Sequence, residues 1–147
     1  RTAPFIDDII VRPEFLPKFL PELTNIISKY DLISTLAGHA GDGNFHIIPL
    51  MDFKDPKTAG IIMELSEKVY ALVHEYKGTI TAEHNDGLIR TPFLDTMYTP
   101  KTLSLFKQTK EIFDPLYIFN PNKKVGATRE YMREHIALEK PTSHHNS

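Results

Sequence analysis

The sequence predicts an α+β fold, an antiparallel sheet with helices packed on one face, and three observations predict it. Apolar runs of strand length alternate with longer stretches of helical period. An Asp42-Gly43 pair between two of the short runs marks a tight hairpin, because Asp-Gly tolerates the positive φ such a turn needs. The 147 residues, 41% hydrophobic and 24% charged, suit one domain that can bury a core of its own.

Phe5 to Val11 (Phe-Ile-Asp-Asp-Ile-Ile-Val) reads as the first strand. Pro13 suits a helix start, and Phe15, Leu16, Phe19, Leu20, Leu23, Ile26 and Ile27 follow helical spacing. Pro17 falls in the first turn; Pro21 is expected to kink this helix or delay its start. Leu32 to Leu36 and Asn44 to Leu50 read as the second and third strands. Asp55-Pro56 opens a long helix whose apolar stripe is Ile61, Ile62, Leu65, Val69, Leu72, Val73 and Tyr76, with Gly78 as its C-cap. Thr79 to Ala82 is a short fourth strand. Thr99-Pro100 starts a helix that Asp114-Pro115 ends, and Asn120-Pro121-Asn122-Lys123-Lys124 is a turn-rich loop. Thr128 caps a last helix through Leu138. Residues 1–140 thus read as one domain, and Pro141 to Ser147, which includes His144 and His145, as a flexible polar tail. The βαββαβ order is that of a ferredoxin-like sandwich with extra C-terminal helices.

A formal charge of −2 argues against a nucleic-acid partner. Without cysteine there is no disulfide, iron–sulfur cluster or thiol nucleophile. No apolar run reaches the roughly 18 residues of a membrane span, and Arg1-Thr2-Ala3-Pro4-Phe5 has no secretory apolar region. The expected location is cytoplasmic or peripheral to a membrane, not secreted.

Gly38-His39-Ala40-Gly41-Asp42-Gly43-Asn44-Phe45-His46 is the most informative segment. With Asp42-Gly43 as turn centre, His39 faces His46, and opposed residues hold their Cβ atoms roughly 4.5–5.5 Å apart on one face. Two imidazoles so held can share a metal ion, or simply pack as a cross-strand pair. A slip of one residue would send the rings to opposite faces. The second cluster is Glu83-His84-Asn85-Asp86-Gly87-Leu88-Ile89-Arg90. Glu83 and His84 point to opposite sides of an extended chain, which suits one metal ligand and one general base better than two ligands; a polar capping loop is the plainer reading. Arg90 suits a substrate carboxylate, or a surface salt bridge. In the third cluster, Phe113 to Lys124, Asn120 is the side chain placed to meet a cofactor.

Taken together these segments resemble the C-terminal region of the FAD-linked oxidases of the vanillyl-alcohol oxidase superfamily, which includes D-lactate dehydrogenase, the glycolate oxidase FAD-binding subunit and D-2-hydroxyglutarate dehydrogenase. The resemblance rests on Gly38 to His46, on Glu83-His84-Asn85-Asp86-Gly87, on Phe113-Asp114-Pro115 and on Asn120-Pro121-Asn122-Lys123. It implies that His39, His46 and Glu83 bind a divalent metal (Zn, Mn or Fe), and that His84 takes the hydroxyl proton of a 2-hydroxyacid while its α-hydrogen leaves as hydride to FAD. Asn44 and Arg90 would meet substrate, and Asn85 and Asn120 the flavin. Asn85 and Asn122 stand where the family carries Gly. Asn85 would either crowd the flavin edge or adopt the left-handed backbone that Asn tolerates.

The resemblance also implies a missing partner: the FAD-binding part of the family lies in an N-terminal domain or subunit, and no Gly-rich phosphate loop occurs here. The chain, which lacks an initial Met, is therefore expected to be a fragment inactive by itself. One tension accompanies this reading. In a simple ferredoxin-like sheet the strand before Glu83 is separated from the third strand by the first, so Asp7 or Asp8 is the alternative carboxylate. The rival readings are a non-catalytic partner-binding module and a flavin-independent metal hydrolase.

Overall fold

Three short extended segments form an antiparallel sheet in the computed structural model, which describes residues 1–136. Strands β1 (Ile6–Ile10), β2 (Ser34–His39) and β3 (Asn44–Pro49) lie in the order β1-β3-β2. Five helices accompany them: α1 (Leu16–Ile27), α2 (Thr58–Glu75), α3 (Gly87–Arg90), α4 (Pro100–Phe113) and α5 (Arg129–Glu134). The class is α+β, as the sequence predicts. The polar tail from Pro141 and the expected end of the last helix at Leu138 lie outside the described residues.

The hairpin between β2 and β3 is two residues out of the predicted register. The Asp42 N–H bonds His39 O and the Gly43 N–H bonds Ala40 O, so residues 40–43 form the tip. His39 consequently faces Asn44, and His46 faces Ala37. A shift of two residues preserves the faces, so the histidines stay on one side of the sheet as diagonal rather than direct neighbours. Gly43 is indispensable to this tip: φ is +78°, and a Cβ would stand 1.8 Å from Val11 O.

The opposite face carries the core. Ile6, Ile9, Phe45 and Ile47 are buried with Phe19 and Leu23 of α1 and Leu65, Val69 and Val73 of α2. Pro21 does not delay α1; a 3-10 turn at Pro13–Phe15 precedes the helix, which runs from Leu16 through Pro21 to Ile27. A mid-helix proline costs ~3 kcal/mol, and burial of Phe19 and Leu23 returns roughly 1.5–3 kcal/mol each. Phe15 and Phe19 also meet the ring of Tyr76 edge-on.

At the end of α2 the left-handed residue is Lys77 (φ 54°) rather than Gly78. Gly78 is small for another reason: a Cβ there would sit 2.3 Å from Ile10 O.

The expected fourth strand, Thr79 to Ala82, is reduced to one bridge between Thr79 and Ile10. Beyond it the backbone donors turn to a side chain. The carboxylate of Asp8, fully buried, accepts the N–H groups of Ala82, Glu83 and His84 and the hydroxyl of Thr81. Donors gathered on one carboxylate are lost to a ladder, and the chain curls around Asp8 instead of extending along β1.

Helix α4 has no buried residue. At its end and in the loop beyond, Ile112, Phe113, Leu116, Ile118 and Phe119 all stand exposed.

Candidate metal and active site

A bulge in β1 prepares the site. Ile6 pairs with Ile47 and Ile9 with Phe45, so Asp7 and Asp8 together oppose the single residue His46. Both aspartates are thereby brought to the histidine face. Asp8 anchors the Glu83 segment, and the amide of Asn44 also donates to Asp8 (3.3 Å) and to Ile9 O (3.1 Å). Burial raises the Asp8 pKa, but the hydrogen bonds from His84, Ala82, Glu83 and Thr81 outweigh it and hold the carboxyl below its ordinary value of 3.8.

The curl around Asp8 resolves the tension seen in the sequence. Glu83 Oε1 lies 3.1 Å from His46 Nε2, 3.4 Å from His39 Nε2 and 3.5 Å from His84 Nε2. His46 stacks on His84, ring centroids 4.9 Å apart, and meets His39 edge-on at 5.7 Å. Glu83 and His84 therefore converge instead of pointing apart, because the extended backbone assumed for them is absent. The exposure of these side chains is uneven: His46 is 16% exposed, His84 44%, Glu83 47% and His39 61%. The cluster thus has a fixed floor and an open top.

This donor set fits a divalent ion. In a tetrahedral site with bonds of about 2.0–2.1 Å, ligand atoms lie about 3.3 Å apart, which the His46–Glu83 and His39–Glu83 separations of 3.1 and 3.4 Å match. His46 Nδ1 hydrogen-bonds the carbonyl of Asp7. A carbonyl only accepts, so Nδ1 is a donor nitrogen of this ring, which would leave Nε2 to face an ion held beside Glu83. The ligand atoms that all lie within 4.8 Å of one another are those of Asp8, His46, Glu83 and His84; His39 is outside that group and approaches Glu83 Oε1 at 3.4 Å. Asp8 is better described as the anchor of that group, since its oxygens are already occupied by backbone and side-chain donors.

Residues 1–124 match the family model described as FAD linked oxidases, C-terminal domain. The chain belongs to this family. As an FAD-linked oxidase domain it is 32% identical over 123 residues to a D-2-hydroxyglutarate dehydrogenase of Pseudomonas putida, covering 84% of this chain and 12% of the relative. To a D-2-hydroxyglutarate dehydrogenase of Stutzerimonas stutzeri it is 32% identical over 129 residues, 85% of this chain and 28% of the relative. To glycolate oxidase subunit GlcD of Bacillus subtilis it is 29% identical over 123 residues, 84% of this chain and 26% of the relative. The oxidase domain therefore spans between 12% and 28% of the length of these relatives.

Asn85 and Asn122, the two positions where the resemblance implies glycine, both take the left-handed backbone, with φ 62° and 59°. The Asn85 side chain accepts the Asp86 N–H at 2.8 Å. Asn120 (φ 46°) is exposed and follows the apolar loop. Lys124 ties that loop to the second cluster through an ion pair with Asp86, and its N–H bonds Thr91. Two residues expected to meet substrate are turned inward instead. Asn44 is buried, its amide N–H donors committed to Asp8 and Ile9. Arg90 is also buried, with Nη1 on Asp7 at 2.7 Å and Nε and Nη2 on Asn85 O at 3.0 and 2.7 Å. The sequence by itself offers Asp7 and Asp8 only as alternative carboxylates. Two adjacent carboxylates inside an apolar strand were the available signal, since they break the alternation of a regular strand and mark a bulge.

Proposed function

We propose that this domain is the substrate- and metal-binding part of an FAD-dependent 2-hydroxyacid dehydrogenase that oxidises a 2-hydroxyacid to the 2-oxoacid. The observation that carries the reading is the convergence of three imidazole Nε2 atoms on one carboxylate oxygen of Glu83, at 3.1 to 3.5 Å, from three separate stretches of chain. His39, His46 and Glu83 would hold the ion, of which Zn, Mn and Fe all suit the donors. When bound, the ion supplies a Lewis acid for the substrate's carboxylate and hydroxyl, and the flavin accepts the α-hydrogen with its electron pair.

His84 is the residue of the cluster assigned to proton transfer. It stands on the open side beside His46, and its Nε2 receives the substrate hydroxyl proton. Asn85 and Asn120, both on the exposed surface, are assigned to the flavin edge. Asn44 and Arg90 hold the frame from beneath. The names of the relatives, D-2-hydroxyglutarate dehydrogenase and glycolate oxidase subunit, support a short 2-hydroxyacid as substrate class.

The FAD-binding domain or subunit is the proposed partner. The exposed Ile112, Phe113, Leu116, Ile118 and Phe119 lead directly to Asn120 and suit a surface covered by that partner, because contiguous apolar exposure of this kind marks an interaction site. Among the described residues no helix is long and apolar enough to cross a membrane.

Metal analysis of the purified chain after dialysis tests the reading, with His39→Ala, His46→Ala and His84→Ala alongside. Near-stoichiometric metal is expected in the native chain and in His84→Ala, and loss is expected in the other two. Equal metal content in native and His46→Ala samples would remove the assignment. Loss in His84→Ala would make His84 a ligand instead of the base.

A further inference from the structure

We propose that Arg90 is a positioning residue of the site, whose guanidinium sets the turn that carries Glu83 and His84 against the strand that steadies His46. What it positions rests on the reading of the site given above; the grip itself is geometry. The turn has two kinds of backbone group to hold. Its N–H groups, those of Ala82, Glu83 and His84, go to the carboxylate of Asp8. The carbonyl at its far end, that of Asn85, goes to Arg90, which donates to it from Nε at 3.0 Å and from Nη2 at 2.7 Å. An anion thus holds the donors and a cation holds the acceptor, the charge-assisted form of each bond.

Both charges are seated on the β1 bulge. Asp8 belongs to it, and Arg90 reaches it through Nη1 on Asp7 Oδ1 at 2.7 Å. Asp7 is also the residue whose carbonyl meets His46 Nδ1. One guanidinium therefore spans the residue that follows His84 and the residue that steadies His46. A planar fork with donors in several fixed directions can do this, whereas an ammonium is a point charge at the end of a flexible stem. The Arg90 side chain is only 7% exposed, so it serves the frame from within. Asn85 is exposed, and its carbonyl can turn to water once Arg90 is gone. Loss of the grip should accordingly loosen the turn before it unfolds the domain.

Amide hydrogen exchange and zinc affinity, measured on the full chain and on Arg90→Lys and Arg90→Met, test this. Exchange is read without metal. The amides of Ala82, Glu83 and His84 should exchange faster in Arg90→Lys and faster still in Arg90→Met, while those of Ile47 and Val69 in the core keep their native rates. Zinc should bind about 10- to 100-fold more weakly to Arg90→Met. Arg90→Lys should fall between, because its ammonium cannot hold both ends of the span. Native exchange in the turn of both variants overturns the proposal. So does a uniform rise across turn and core, which marks a general loss of stability, and so does native zinc affinity beside a loosened turn. If Arg90→Met does not fold, Arg90→Lys, which keeps the charge, decides by the same criteria. A native chain that binds no zinc, with faster turn exchange in the variants, refutes the metal reading and leaves the grip standing. Zinc binding by the native chain, with affinity and turn exchange unchanged in the variants, refutes the grip and leaves the metal reading.

Discussion

Two loops of this domain are each organised around one aspartate, yet they do opposite things. The Glu83 loop wraps Asp8, which accepts N–H groups from Ala82, Glu83 and His84. The loop after α4 wraps Asp114, which accepts those of Ile118 and Phe119, both at 2.9 Å, and pairs with Lys110. Around Asp8 the outward side chains are polar and converge; around Asp114 they are Leu116, Ile118 and Phe119 and stand exposed. The device is the same, a carboxylate that gathers backbone donors and forces the side chains out. What is forced out decides the role. One loop presents chemistry and the other presents surface for a neighbour.

Removing the first anchor should have the largest effect. Asp8→Ala leaves three partly buried N–H groups without their acceptor, a loss of roughly 3 kcal/mol, and should abolish metal retention as Glu83 moves away. Chemical denaturation together with metal analysis measures both. Metal retained at the native level would show that the His39–His46 pair holds the ion without the Asp8 curl, and the comparison of the two loops would fail.

The second anchor should respond to acid locally. Burial raises the Asp114 carboxyl, but Lys110 and the amides of Ile118 and Phe119 outweigh it and hold the pKa below its ordinary value of 3.8. A depressed folded value means the anchoring is complete above the ordinary carboxylate range and is lost as pH falls through the lowered one. The amide resonances of Ile118 and Phe119 should therefore stay constant down to about pH 4 and move together below it. Movement at higher pH would contradict the depressed value.

The smallest effect belongs to Asn122→Gly, at a left-handed position already occupied by asparagine. Because Asn tolerates that backbone and Gly relieves it only partly, stability should change by less than about 1 kcal/mol. A larger gain in a thermal melt would mean that the loop after Asp114 is strained in a way the Glu83 loop is not.

Much of this was legible in the chain. The Asp42-Gly43 pair places a hairpin, and period-two alternation then puts His39 and His46 on one face even though the register is offset by two. Apolar periodicity locates α1 and α2. What was not legible depends on long-range bonds. Thr79 to Ala82 has the composition of a strand, but the Thr81 hydroxyl and the Ala82 N–H go to a carboxylate more than seventy residues earlier in the sequence. The convergence of Glu83 with His84 follows from that one bond set, and local geometry predicted the contrary. Arg90 has the chemistry of a substrate clamp and is used inside the protein, a choice set by the bulge at Asp7 and Asp8. Pro21 breaks local preference because Phe19 and Leu23 are buried on the same helix.

Strand β2 is exposed along its whole length and is the outer strand of the sheet, with His39 at its end. An unpaired edge invites further strands to add to it. Gly38 interrupts this one, with φ at 147° just before His39, where a Cβ would stand 2.3 Å from Asn44 O. A chain stacking along β2 meets that irregularity at the end that carries the histidine. The missing side chain lets the strand approach Asn44 so closely, and the delivery of His39 to Glu83 follows from it.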